Sequence, residues 1–372
     1  MSGMLSKSTI AGFAIFSMIF GSGNIVFPLI LGKNFPSNLL IVLIGWLLAA
    51  VIIPMGSYYG AMLFDGENKK YLAPIGKHAT FILMFIIMMM VGPFGVMARI
   101  TNVAFGGIFN MAPQLPLFLF SLVYTITMVC VAYHPGKIVQ IIGVVFTPVK
   151  FGGLLLVIVG ALWYGGAFEA IKLPPVETWH AAASGFCMGY QTMDLLASFM
   201  LVESVYLYIK NSIPEESRHE KKKLLRFAGV ACVIGSLILT VAYIGLASIG
   251  ALYSDRLAGT PDESLFGRIA ELALGPCASW IVSIVIAISC LATNIVLCSV
   301  FTDYIHKDIL RERFNRNIIL LAVGAISFSV SLLGFHQICV IMGMILEKVY
   351  PALILYATAR IAYYYVKAGK KQ

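Results

Sequence analysis

Charge is what this sequence has least of. Only 12% of its 372 residues are Asp, Glu, Lys or Arg, while 60% are hydrophobic. A water-soluble domain carries about 25% charged and about 45–50% apolar residues, so the polar surface of a solvated fold is missing. The seven cysteines form no Cys-x-x-Cys pair. That removes the usual spacing of zinc and dithiol sites and leaves them as small apolar packing residues. No cluster of His, Asp and Glu stands at ligand or catalytic spacing, which speaks against a metal, a cofactor or an embedded enzyme. His134 and His336 are isolated near span ends. No ordered polar rings suggest a channel. No linker separates soluble domains; the longest polar stretches are 65–78, 164–182, 209–226, 253–275 and 303–316.

What is there is long apolar runs. Ten of them cover residues 9–31, 38–64, 79–109, 115–133, 138–163, 183–208, 227–252, 276–302, 317–334 and 336–366. Each approaches or exceeds the ~20 residues that carry a helix across a bilayer. The formal net charge of +9 is unevenly placed. With the N-terminus inside, nineteen Lys and Arg fall in inner segments; only Lys33, Lys172, Arg256 and Arg268 fall in outer loops. This bias predicts that both termini are cytoplasmic. It makes the basic charge a topology signal, and no basic, aromatic-interleaved soluble module for nucleic acid is present. Lys7 ahead of an apolar run resembles a secretory leader. The run continues past Gly23 to Leu31 without a small-x-small cleavage site, so it reads as a membrane helix.

Five spans precede the break at 164–182 and five follow it. An odd-numbered unit followed by a similar one must insert with opposite topology, the arithmetic of an inverted repeat. The expectation is an all-α polytopic protein of about ten helices, one transport domain over 1–372, with repeats at 9–163 and 183–366. The first span of each half is interrupted by glycines at mid-depth. Span 1 reads Phe20-Gly21-Ser22-Gly23-Asn24, with Pro28 beyond; span 6 reads Ser184-Gly185-Phe186-Cys187-Met188-Gly189-Tyr190-Gln191-Thr192-Met193-Asp194.

Glycine weakens a helix and proline removes one of its hydrogen bonds. A break in lipid is tolerated where it lines a cavity, and paired breaks point to a substrate site. Free N–H groups near Gly21, Ser22, Gly23 and Asn24, at the start of a half-helix, suit a carboxylate. Unwound carbonyls around Phe186, Gly189 and Tyr190 suit an ammonium or a cation. Together they grip a zwitterion, an amino acid. Phe20, Ile25 and Tyr190 favour an apolar side chain. The competing explanation, glycines that let helices pack closely, accounts for one Gly-Ser-Gly more easily than for two matched breaks with polar neighbours.

The stretch from Gly12 to Pro28, with Gly21-Ser22-Gly23-Asn24-Ile25-Val26-Phe27-Pro28, resembles the first helix of the bacterial branched-chain amino acid carriers, whose motif there is close to GAGN-x-x-FP. Gly189-Tyr190-Gln191-Thr192-Met193-Asp194-Leu195-Leu196-Ala197-Ser198 resembles their GYNTLDALAS in helix 6. Gly92-Pro93 with Arg99, Ile142-Gly143 with Thr147-Pro148, and Tyr350-Pro351 are similar in the same order. The resemblance implies the five-plus-five fold of the amino acid–polyamine–organocation superfamily. It also implies uptake of leucine, isoleucine or valine by cation symport across a bacterial inner membrane. Members usually carry about twelve helices.

Among the ionisable residues within spans are Arg99, Lys150, Asp194, Glu347 and Lys348. A bare charge at mid-membrane costs at least ~2.5–3.5 kcal/mol, so each must pair, face water or lose its charge. The family pattern suggests that Asp194 pairs with Arg99, as a structural ion pair or a proton relay. Glu347 and Lys348 are expected to face a wet cavity or a partner helix. In sodium-coupled relatives an ion site uses helix 1 carbonyls, here near Ser17 and Phe20, and two helix 8 hydroxyls, here reduced to Thr293 by Ala292. Lys150 stands where the family usually has an apolar residue. A buried ammonium can fill a sodium pocket and titrates easily, so coupling to protons is expected in preference to sodium.

Overall fold

A computed structural model of the chain describes residues 2–109, 112–133, 151–165, 177–212 and 220–369, and every regular element among them is helical. Residues with this much apolar surface and no spare backbone partners have one open-chain solution in lipid, the helix. The first span is α1 (Ser2–Ile19) and α2 (Gly23–Asn34), separated by a break. The second is α3 (Leu39–Leu47) and α4 (Ile53–Met62), joined by a π turn at Leu48–Ile52 just before Pro54. A short α5 (Asn68–Leu72) lies in the following loop. The third span, α6 (Lys77–Val91) and α7 (Val96–Phe109), is interrupted at Gly92-Pro93.

The fourth is α8 (Leu117–Ala132) and the fifth is described as α9 (Phe151–Tyr164). The sixth divides into α10 (Thr178–Gly189) and α11 (Asp194–Ser212). Then come α12 (Lys221–Leu252), the connecting α13 (Leu265–Leu274), α14 (Pro276–Tyr304), α15 (Arg316–Ser331) and α16 (Phe335–Gly369). Among the described residues six stretches are long and apolar enough to cross a membrane, and four shorter apolar helices accompany them. Helices among the described residues fall on each of the ten expected spans, the fifth being described from Phe151 on, and spans 1 and 6 are broken beside the expected glycines.

The outer surface is apolar. Leu40, Ile44, Leu237, Val241 and Leu355 are all well exposed, Leu40 by 78%. Each such side chain in water would forgo about 1.5–3 kcal/mol of burial; in lipid it forgoes nothing. Trp163 and Trp179, at an end of α9 and of α10, are also exposed, the position aromatic rings take at a membrane interface. Glu347 and Lys348 are exposed on α16.

The two broken helices take matching partners. Both α1 and α2 run along α12, while α10 runs along α3 and α11 along α4. Behind them α7 packs on α14, and α8 packs on both α14 and α15. Glycines make the two main seams possible. A Cβ on Gly32 of α2 would collide with the Ala247 carbonyl oxygen of α12, and one on Gly45 of α3 with the Ala182 carbonyl oxygen of α10. Outside the apolar spans, Asp65 accepts bonds from Lys221 at 3.0 Å and Lys70 at 3.3 Å. Burial alone would raise its carboxyl, and the two lysines outweigh that and lower it below the usual value.

These seams generate a test. Gly32→Ala and Gly45→Ala each force two backbones apart and should cost about 1–3 kcal/mol or more, read as a lower melting temperature in detergent. Gly56→Ala, where an added Cβ meets nothing within 4 Å, should be neutral or stabilising by up to about 1 kcal/mol.

Candidate functional site

The break in the first span leaves polar backbone in the centre of the protein. The Gly21 N–H donates to Asn24 Oδ1 at 3.0 Å. The Ser22 carbonyl accepts from Ile25 N at 3.1 Å and Val26 N at 3.2 Å. The N–H groups of Ser22, Gly23 and Asn24 meet no protein acceptor among the described residues. Ser22 and Asn24 are buried, and the Ser22 side chain does not cap α2. The start of α2 therefore offers unpaired donors and the positive end of a helix dipole.

The break in the sixth span is built differently. After Gly189 the chain makes one 3-10 turn, Tyr190–Thr192, and then Met193 takes a left-handed conformation with φ 58°. A non-glycine residue there costs about 1–3 kcal/mol and persists where its surroundings impose it. Thr192 steadies the turn: its hydroxyl donates to the Gly189 carbonyl at 2.9 Å and accepts from the Asp194 N–H at 3.4 Å. The Gln191 carbonyl, freed by the break, accepts from Arg99 Nη1 at 3.0 Å.

Asp194 joins the two breaks. Asn24 Nδ2 donates to its carboxyl oxygens at 3.0 and 2.8 Å, and Tyr243 of α12 donates its hydroxyl to Oδ2 at 3.0 Å. The Asn24 amide also bonds the Tyr243 hydroxyl. All three side chains are at least 98% buried. The expected ion pair between Asp194 and Arg99 is not formed: no Asp or Glu lies within salt-bridge distance of Arg99 among the described residues. The physical reason is direction. Asp194 begins α11 and turns toward α2 and α12, while Arg99 reaches the carbonyl of the preceding turn.

The other expected residues divide. Phe186 meets Tyr190 edge-on at 5.2 Å, and Tyr190 lies 4.5 Å from the Tyr350 ring of α16. Gly189 takes the packing role, its α-carbon turned to Ala49. Phe20 is buried beside Phe16 and Tyr243. Ser17 is half-buried on α1. Lys150 lies outside the described residues.

Thr293 and Ser22 line one cavity of about 90 Å³, together with Ile25, Leu154, Ile286 and Ser289. Thr293 donates to the Ser289 carbonyl at 3.1 Å, and the buried Ser289 hydroxyl has no partner. So α14 presents a second hydroxyl, one turn before Thr293, that the reading of Ala292 as a lost hydroxyl overlooked. Tyr243 was also missed. A lone tyrosine in a 32-residue apolar helix carries no sequence signal, whereas Ser289 stands in a legible i, i+4 relation to Thr293.

The tie can be weighed. Tyr243→Phe keeps the ring and removes one hydrogen bond to a carboxyl, and should cost about 1.5–3 kcal/mol. Denaturation in detergent checks this; an unchanged melting temperature would show that the bond is not made.

The family model described as "Branched-chain amino acid transport protein" matches residues 4–369. The chain is 28% identical over 361 residues to the branched-chain amino acid permease BrnQ of Escherichia coli, covering 94% of this chain and 79% of that one. It is 26% identical over 351 residues to the branched-chain amino acid transport system 3 carrier protein of Pseudomonas aeruginosa, covering 92% and 78%. The permease BraB of Bacillus subtilis is 27% identical over 372 residues, covering 94% and 79%.

Proposed function

The chain belongs to the branched-chain amino acid transport protein family, and from that premise we propose that it is a secondary transporter importing leucine, isoleucine or valine by cation symport. The family is one of transport proteins, not enzymes. The observation that carries the finer reading is the pair of breaks held together by Asn24, Asp194 and Tyr243, with three unpaired N–H groups at the start of α2. A substrate carboxylate would take those donors. Its ammonium would lie toward the carbonyl ends of α1 and α10, near Phe20 and Phe186.

The side chain would enter the cavity beside Ser22. The cavity is about 90 Å³ and is lined by the apolar Ile25, Leu154 and Ile286, which suits an aliphatic side chain. Alternating access would follow from rocking one set of helices about this site, in a five-plus-five repeat of 9–163 and 183–366. The matching partners of the two broken spans support that division. The skewed Lys and Arg distribution supports a bacterial inner membrane location with both termini cytoplasmic.

Protons are the coupling ion this reading favours, with Lys150 and Asp194 as the groups that carry them. Ser289 beside Thr293 favours the second reading, a sodium site completed by Ser17 and Phe20. Two measurements separate these. Purified protein in liposomes should accumulate labelled leucine, isoleucine and valine under an imposed proton gradient and not under a sodium gradient; Lys150→Ala should abolish the accumulation. Uptake driven by sodium alone would discard the lysine mechanism and keep the transporter. Filling the cavity by Ile286→Phe should depress leucine uptake about 10–200-fold relative to alanine. Equal effects on both amino acids would move the side-chain site elsewhere.

A further inference from the structure

Arg99 is a buried cation that forms no ion pair among the described residues. It is 3% exposed, in the middle of the third span. Of its donors, Nη1 bonds the Gln191 carbonyl at 3.0 Å and the Gln191 side-chain oxygen at 3.3 Å. Nε is buried with no partner. The guanidinium lies 5.2 Å from the centre of the Phe27 ring. No Asp or Glu forms an ion pair with it among the described residues, and the neighbouring carboxyl, Asp194, is taken up by Asn24 and Tyr243. A buried, desolvated guanidinium with neutral partners alone is costly, and Arg presents a planar fork matched to a carboxylate.

Its position says where the missing anion belongs. Nη2 stands 3.9 Å from where a Cβ on Gly23 would be. Gly23 is the first residue of the 12-residue α2 and carries one of the unpaired N–H groups. The positive end of a helix dipole and a guanidinium with no ion pair among the described residues thus lie side by side, brought there from two separate spans. Arg360 shows the contrast. It is also buried with a partnerless Nε, but it lies on the Phe64 ring at 3.8 Å with Tyr71 and Tyr363 nearby, and donates to the Lys70 carbonyl rather than standing at the start of α2.

We infer that Arg99 binds the carboxylate of the transported amino acid, together with the N–H groups of Ser22, Gly23 and Asn24. This rests on the amino acid transport reading and adds to it a residue on the third span. Glycine at position 23 has a matching use: it puts no side chain between the guanidinium and the start of α2. The bond from Nη1 to Gln191 also ties the carboxylate site to the turn of the sixth span, so that filling the site bears on both breaks.

The test compares leucine with leucinamide, which keeps the ammonium and side chain and lacks the carboxylate. Each competes against labelled leucine for uptake into liposomes containing the full chain. Wild-type protein should prefer leucine strongly. Arg99→Gln should weaken leucine by about tenfold to a hundredfold and leave leucinamide nearly unchanged, so that the preference collapses. Arg99→Lys, which keeps the charge and loses the fork, should retain part of the preference and guards against a glutamine variant that does not fold. Equal loss for both compounds, or an unchanged ratio in both variants, overturns the inference in favour of a structural arginine. Wild-type protein that takes up no apolar amino acid overturns the transport reading and this inference with it; wild-type uptake with an unaltered ratio overturns this inference alone.

Discussion

In hydrocarbon an unpaired backbone N–H or C=O costs several kcal/mol, and this chain opens its first and sixth spans in its interior. Everything around those openings answers that cost. Asn24 covers the Gly21 N–H, Thr192 covers the Gly189 carbonyl and the Asp194 N–H, and Arg99 covers the Gln191 carbonyl. The donors left over at Ser22, Gly23 and Asn24 are the exception. Those three N–H groups lie beside the buried Arg99 guanidinium, whose Nη2 stands 3.9 Å from where a Cβ on Gly23 would be.

The Asn24–Asp194–Tyr243 cluster gives that place its geometry. It joins α2, α11 and α12, three helices from distant parts of the chain. Because α12 runs along the first span and α10 and α11 run along the second, a shift at either break is felt in both seams. The glycines at 32 and 45 let these seams close backbone to backbone. Of the two explanations set out for glycine, close packing holds for Gly189, which packs against Ala49, while Gly21 and Gly23 stand at the break of the first span.

The spans, their breaks and the residues at the first break were legible because each depends on local chemistry. A twenty-residue apolar run has one conformation in lipid, and Gly-Ser-Gly at its centre has one effect on a helix. Partners were less legible. Arg99 and Asp194 look like an obvious pair when counted as charges, yet Asp194 turns to an amide and a phenol and Arg99 to a carbonyl. Tyr243 is one tyrosine among the chain's 17. Ser289 becomes interesting once its hydroxyl is seen buried without a partner next to Thr293.

The sequence by itself determined that the chain is helical, lies in a membrane and interrupts its first and sixth spans, since hydropathy, glycine and proline act within a few residues of where they stand. Tertiary structure alone decided which polar groups meet. Side-chain direction depends on how helices separated by more than a hundred residues cross and rotate against one another. No local pattern encodes that rotation. It turned Asp194 to Asn24 and Tyr243, brought Tyr243 to the break, and set the Arg99 guanidinium beside the start of α2.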